Sequence, residues 1–238
     1  MVGFHFVPTH PTHYFGKWWV STSFLPTLLT TLENGGFPLR SYPPHFEMIP
    51  FMFILILGMT FFFGVHLLPS FPTARQTLIN RFGDNRYKSG YSLIALIGLV
   101  LIIFGKSQTE YIPVWQPGLI AFQIAPYIIL LGFIISNAMY MASNIKRFTR
   151  HPMLWGVLFW SLGHLLTNGD LASLILFGGF GLFSLFDMWS ANRRGAKKSE
   201  QVYPLSKDLI LIVVGVISWS IFLYLHFYLF GVPVIQYL

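Results

Sequence analysis

Long apolar runs alternate with short charged segments along most of the chain, and this pattern predicts about six transmembrane helices. The runs cover 49–68, the stretch between Lys88 and Lys106, 119–140, 151–167, 171–189 and 209–230. A helix that crosses a bilayer needs about 17–25 apolar residues, so the second, fourth and fifth runs are at the short end of that range. The three-residue segment Asn168–Asp170 predicts that the fourth and fifth runs form an antiparallel hairpin.

We therefore predict an all-α polytopic membrane bundle over 49–238. Residues 1–48 are a separate N-terminal segment rich in aromatic residues, histidine and proline. They lack a basic stretch and a cleavage site, so a signal peptide is not indicated.

Composition supports the bilayer as the solvent. Hydrophobic residues make up 54% of the 238 positions and charged residues only 10%, against about a quarter charged in soluble domains. There is no cysteine, which excludes disulfides, thiolate metal sites, iron–sulfur clusters and cysteine nucleophiles. Any metal must therefore be held by imidazole, carboxylate, phenol or thioether groups.

The basic residues predict the orientation. Twelve of the fifteen lysines and arginines lie in the segments 69–90, 141–152 and 190–208. Positive residues accumulate on the cytoplasmic side of membrane proteins, so both termini are predicted to be non-cytoplasmic. The expected location is a bacterial inner membrane or an equivalent organelle membrane. The net charge of +7 belongs to these loops and does not indicate a nucleic-acid partner.

Two histidines, His66 and His164, fall inside apolar runs. Such residues need partners within the membrane, and a backbone carbonyl is the simplest one. Two imidazoles without a nearby cysteine also suit haem b or another nitrogen-ligated metal. Trp160 lies one helical turn before His164. The core-histidine and metal-ligand interpretations both stay open on spacing alone.

Arg150 and His151 precede Pro152 at the predicted start of the fourth helix, where the helix dipole adds to their positive charge. This arrangement predicts an anion site for a propionate, a phosphate or a nucleotide, or else a topology anchor. His151 and His164 differ by about 220° around the helix and by about 20 Å along it. We expect a depth mismatch of roughly 10 Å between His66 and His164, and a better match between His66 and His151.

Four motifs together resemble the NnrU family and, more distantly, ζ-carotene isomerase. They are Gly64-Val65-His66, Arg81-Phe82-Gly83-Asp84-Asn85-Arg86-Tyr87 with Tyr91-Ser92-Leu93, Arg150-His151-Pro152, and Trp160-Ser161-Leu162-Gly163-His164-Leu165-Leu166 with Asn168-Gly169-Asp170. The resemblance covers roughly 51–194. It implies a membrane protein that supports nitrogen-oxide metabolism in denitrification, or one that binds haem b and isomerises a carotenoid.

Carried over from the isomerase, the iron ligands fall on His66 and His164. Ser161 stands where the isomerase has a cysteine, and Asn192 stands where the family has an acidic residue, so any role that depends on those groups does not transfer. The Arg-His-Pro start also resembles the isoprenylcysteine methyltransferase group.

We expect a haem b protein with metal ligands His66 and His164 and with Arg150, His151 and Trp160 at the cofactor. Its function is either support of nitrogen-oxide respiration or isomerisation of a lipophilic polyene such as a cis-carotene. The alternatives are a methyltransferase-like enzyme and a non-catalytic subunit that joins a larger membrane complex through 1–48.

Overall fold

The computed structural model describes residues 49–231 and Val234, with side chains from Phe51 onward, so the predictions for 1–48 lie outside the described residues. The helices are α1 (Ile49–His66), α2 (Pro72–Phe82), α3 (Asp84–Gln108), α4 (Leu119–Asn137), α5 (Ile145–Phe148), α6 (Pro152–Thr167), α7 (Leu171–Arg193) and α8 (Leu205–Phe230). A 3-10 turn, Leu68–Ser70, follows α1. The described part contains no β-strand, which confirms the all-α prediction.

Each predicted apolar run coincides with one helix. Four of these helices, α3, α4, α7 and α8, are long and apolar enough to cross a membrane. Helix α1 is apolar but shorter over its described side chains, and α6 has 16 residues, or about 24 Å of rise. The membrane crossing of α1 and α6, and with it the count of six, stays a prediction.

Helix α2 was not predicted, because its sequence is polar and carries no apolar stripe. Pro72 opens it at a position where the missing N–H costs nothing. Gly83 ends it with φ 83°, a conformation that favours glycine, and α3 begins at the next residue. The basic segment after α1 is therefore a short surface helix.

Antiparallel pairs α1–α3 and α4–α6 are packed through glycine. A Cβ on Gly58 would lie 2.9 Å from the carbonyl oxygen of Gly98, and a Cβ on Gly98 would lie 2.9 Å from that of Gly58. Gly132 and Gly156 face each other in the same way, with separations of 2.9 and 2.7 Å. Small residues let helix backbones approach closely in membranes, so each pair is a tightly packed hairpin-like unit.

Helix α7 lies between α1 and α6. The buried core contains Leu55, Met59, Ile102, Ala172, Leu176 and Phe177, which come from α1, α3 and α7. Trp160 of α6 packs against the same core. Helix α8 contacts α4, where Asn137 donates a hydrogen bond to Ser218 over 3.2 Å. The resulting order of neighbours is α3, α1, α7, α6, α4 and α8.

By its contacts the chain divides into two units. The packing above belongs to the unit His45–Trp219. Of the other unit, the structure describes 220–231, which continues α8 to Phe230, and Val234. We call the end of the bundle that carries 69–90, 141–152 and 190–208 the inner end, and the opposite end the outer end.

Candidate functional site

His66 is the last residue of α1, and its tautomer follows from one hydrogen bond. Its Nδ1 lies 2.6 Å from the carbonyl oxygen of Phe62, one turn earlier. A carbonyl only accepts, so Nδ1 carries the proton, and in the neutral imidazole the lone pair lies on Nε2. The imidazole stacks on the Phe62 ring at 4.2 Å and approaches Tyr91 at 5.3 Å and Phe183 at 6.2 Å between ring centroids.

His164 repeats this arrangement on α6. Its Nδ1 donates to the carbonyl oxygen of Trp160 over 2.9 Å, again one turn earlier. The imidazole stacks on Phe177 at 4.5 Å, and the Trp160 ring lies 4.9 Å away. Both histidines thus have an aromatic residue four positions before them, which supplies a carbonyl to Nδ1 and a ring to the imidazole.

One continuous group of rings connects the two histidines. We call it the aromatic cluster, and it consists of Phe62, Phe63, Trp160, Phe177, Phe180 and Phe183. Phe180 joins its two sides, with centroids 5.5 Å from Phe62 and 5.4 Å from Trp160. The two imidazoles therefore line the same apolar core, but aromatic rings fill the interval between them.

Contacts with α7 give the depth of each histidine. His164 packs on Phe177, and His66 approaches Phe183. Those two positions are six residues apart, which corresponds to a depth difference of about 9 Å. The mismatch expected from the sequence is therefore present in the fold.

Along the axis of α7, the separation between His66 and His151 is larger than the separation between His66 and His164. Its Nε2 is 2.9 Å from Oδ1 of Asn192, nine residues beyond Phe183 on α7, or about 14 Å. The prediction of a better match between His66 and His151 is wrong. Helix α1 ends at His66, whereas α7 continues to Arg193, and α6 begins opposite that extension.

Arg150 and His151 meet at a single acceptor on the inner end. Arg150 donates to Oδ1 of Asn192 over 2.8 Å, and His151 Nε2 contacts the same oxygen. Both side chains contribute positive or donor groups beside the start of α6, as the sequence predicted. They do not join Trp160, which packs in the aromatic cluster with His164.

A second polar contact closes the inner end near His66. Asp187 of α7 lies 3.6 Å from Arg194 and accepts a hydrogen bond from Ser70 over 3.4 Å. Arg194 donates to Ser70 over 2.9 Å. This three-residue contact, which we call the inner clasp, connects the 3-10 turn after α1 to the end of α7.

The outer end carries a more deeply buried ion pair. Lys106 of α3 lies 2.8 Å from Asp170, whose side chain is only 6% exposed. Asp170 also caps α7 by accepting the N–H of Ser173 over 2.9 Å. Burial alone would raise the pKa of Asp170, but the hydrogen bonds from Lys106 and Ser173 and the charge of Lys106 hold that pKa below its ordinary value.

The segment 109–118 lies across the α6–α7 turn as a strap. Val114 donates to the carbonyl of Gly169 over 2.7 Å, and Leu171 donates to that of Ile112 over 2.9 Å. A Cβ on Gly169 would clash with the carbonyl of Trp115. We call the Lys106–Asp170 pair together with this strap the outer clasp.

The donor chemistry of the two histidines fits haem. Among the described residues, no three His, Asp or Glu side chains gather in a way that would hold a metal ion. Haem needs only axial ligands from the protein, and neutral imidazoles with a fixed Nδ1–H are suitable ones. For both to reach one iron, Phe180 and Trp160 would have to turn aside.

Several site residues were not found from the sequence. Phe183 beside His66 and Phe177 beside His164 lie on a neighbouring helix and carry no local signal, and Tyr91 was identified only as part of a family motif. The aromatic residue at the fourth position before each histidine is a local signal that repeats. Ser161 is fully buried and donates to the carbonyl of Phe177 over 2.5 Å, which fixes α6 against α7.

Comparison with known proteins gives one finding. The model of the family described as NnrU protein matches residues 54–234, which extends past the recognised motifs and through α8. No curated protein and no solved structure matches the chain.

Proposed function

Because the NnrU model matches more than half of the chain, the protein belongs to the NnrU family, and from that premise we propose that it binds haem b and isomerises a lipophilic polyene. Its long apolar helices make it an integral membrane protein. His66 and His164 are the proposed axial ligands. A cis-carotene is the kind of substrate that we expect.

One observation carries this proposal: both imidazoles are held in the same tautomer and contact the same aromatic cluster. In each, the carbonyl four residues earlier takes the Nδ1 proton. That bond orients the ring and makes Nε2 the nitrogen that would bind the iron. Second partners of this kind fix metal-binding histidines in proteins.

Each part of the site has a separate role in the proposal. Bound haem would supply a redox-active iron with a planar face for an apolar substrate. The rings of the aromatic cluster keep water away from that region. Arg150 and His151 would exchange the amide oxygen of Asn192 for a propionate, because a charged acceptor forms stronger hydrogen bonds than a neutral one.

The absorption spectrum of the purified protein tests the ligands. Wild type should show the Soret band of six-coordinate low-spin haem b. His66→Ala and His164→Ala should each lose the low-spin form, and the double variant should lose haem. His151→Ala should keep the low-spin form, because His151 contacts Asn192 at another depth and is proposed as a propionate contact and not as an axial ligand.

Three results would count against this assignment. A wild-type protein without a Soret band removes haem from the proposal. A high-spin wild-type spectrum that only one histidine variant changes would mean that a single imidazole reaches the iron. A His151→Ala protein that loses the spectrum while His164→Ala keeps it would move the second ligand to the inner end.

Family membership favours a second candidate, support of nitrogen-oxide respiration, which the resemblance to NnrU proteins implies. In that case the protein acts on respiration directly or joins a larger complex through 1–48. Deletion of the gene that encodes this protein should then slow growth of the cells on nitrite without changing the polyene content of their membranes. Unchanged growth together with accumulation of a cis-polyene would support the isomerase.

The Arg150–His151 pair at the start of α6 keeps methyl transfer as a further alternative. Donor groups at a helix N-terminus suit the anionic part of a nucleotide cofactor. Saturable binding of S-adenosylmethionine that Arg150→Gln abolishes would favour this function over haem chemistry.

A further inference from the structure

An apolar groove runs between α1 and α7 on the bundle surface. It consists of two adjoining cavities of about 640 and 350 Å³. Met59, Phe63, Leu67 and Ile175 line both cavities, so the two form one continuous space. Neither histidine lines it. The volumes lie in the range of sites for small molecules.

The shape of the groove suits a linear molecule. On α1 its lining residues Met59, Phe63 and Leu67 recur every four positions, so they form one stripe along the helix. On α7 the lining extends from Leu174 to Phe186, twelve residues or about 18 Å. The groove therefore runs parallel to the helices, and its open side faces away from the bundle, toward the lipid.

Two glycines leave open space along the groove. A Cβ on Gly64 would meet nothing within 4 Å, and a Cβ on Gly178 would meet only Leu174, at 3.9 Å. Both positions open onto the groove. These glycines differ from Gly58 and Gly98, which face backbone, because here the missing side chains leave space for a ligand.

Aromatic residues and the inner end of the groove limit what fills it. Phe63 and Phe183 stack at 4.9 Å with an angle of 14°, and Phe186 continues their side of the groove. A conjugated chain is flat and polarisable and packs well on aromatic rings, as aromatic pairs do. Just past Leu67 and Phe186, the inner clasp ends the apolar surface with charged groups.

We propose that this groove is the binding site of the linear polyene, which lies along α1 and α7 with its inner part beside Phe183. Phe183 lines the groove and also lies 6.2 Å from His66, so a single ring separates the chain from that histidine. The inference rests on the proposed function for its substrate class. According to this inference, the bound polyene lies next to His66 and not next to His164.

Binding can be measured with parinaric acid, a fatty acid with a conjugated tetraene that accepts energy from tryptophan. The protein in lipid nanodiscs should show saturable transfer to this probe. Gly178→Leu places a side chain in the groove and should weaken binding about tenfold or more. Gly64→Leu fills the groove from the α1 side and serves as a second variant if the first fails to fold.

Gly90→Leu is the matched control. Its Cβ would also meet nothing within 4 Å, but Gly90 lies on α3, outside the groove. Binding to this variant should equal that of wild type. Stearic acid, the saturated competitor, should displace the probe poorly.

Three outcomes would overturn the inference: absence of saturable transfer, equal binding by the groove variants and Gly90→Leu, or full displacement by stearic acid. The last outcome would assign the groove to a lipid tail. The Soret spectrum of the same samples separates this test from the proposed function. Saturable transfer without a Soret band would remove haem and keep the groove, whereas a Soret band without transfer would remove the groove alone.

Discussion

The Lys106–Asp170 pair should respond unequally to removal of its two charges. The Lys106 side chain is 31% exposed, whereas that of Asp170 is 6% exposed. Lys106→Met leaves a buried carboxylate with Ser173 as its remaining hydrogen-bond partner. Asp170→Asn leaves a lysine that can turn toward water. We therefore expect the lysine substitution to destabilise the protein more.

The magnitudes follow from burial. Removal of one partner of a fully buried pair costs about 3–5 kcal/mol, and the bond to Ser173 together with the partial exposure of Lys106 reduces this to about 2–3 kcal/mol. Asparagine caps helices about as well as aspartate, so Asp170→Asn should cost about 1 kcal/mol, as expected for a partly exposed pair. Lys88→Met breaks the exposed Lys88–Asp84 pair and should cost under about 0.5 kcal/mol.

The pH dependence provides a second test. In wild type the depressed pKa of Asp170 means that the stabilisation is present above the unfolded pKa and is lost as pH falls through the folded value. Without Lys106, desolvation raises the pKa instead. The destabilisation by Lys106→Met should therefore shrink between pH 7 and about 4, whereas that by Asp170→Asn should stay constant.

Unfolding by SDS in dodecylmaltoside micelles, followed by tryptophan fluorescence, measures these differences. The burial argument is refuted if Asp170→Asn costs more than Lys106→Met at pH 7. It is also refuted if the Lys106→Met penalty does not change on acidification.

Three further predictions concern the inner end and the helix contacts. Arg150→Gln should lower haem retention without loss of fold, because the proposed anion loses a charged donor; normal haem content would leave Arg150 as a topology anchor. Ser199→Cys, in a chain without cysteine, should stay unlabelled by an impermeant thiol reagent outside intact cells, and labelling would reverse the predicted orientation. Gly98→Ala should cost about 1–3 kcal/mol in the same SDS titration, because its Cβ would lie 2.7 Å from the backbone N of Phe62; Gly90→Ala is the control, and an equal cost for both would refute the close packing.

The helices were predictable because a helix within a bilayer requires a long run of apolar residues, and such runs are visible in the sequence. All six apolar runs became helices, and the Asn168–Asp170 turn appeared where expected. The boundary errors are found where a helix leaves the apolar zone: α3 includes Lys88 and Lys106, because a helix continues as long as its backbone bonds and caps allow. The hydropathy pattern does not indicate the residue at which such a helix ends.

The site was only partly predictable, for a related reason. His66 and His164 were identified because an imidazole in an apolar run needs a partner. The depth of His151 relative to His66 was predicted wrongly, because it depends on where α1 ends against α7, and that stagger is a tertiary property. The Lys106–Asp170 pair joins positions 64 residues apart, so neither residue alone indicated its partner.

That separation along the chain has a consequence for biosynthesis. Domains emerge during translation at about 5–20 residues per second, so Lys106 precedes Asp170 out of the ribosome by about 3–13 s. During this interval the lysine lacks its Asp170 partner, although it is one of the three basic residues that oppose the orientation bias. In the predicted orientation, the arginines of the segment 69–90 therefore set the direction of α1 and α3, and the outer clasp forms only after α7 has been synthesised.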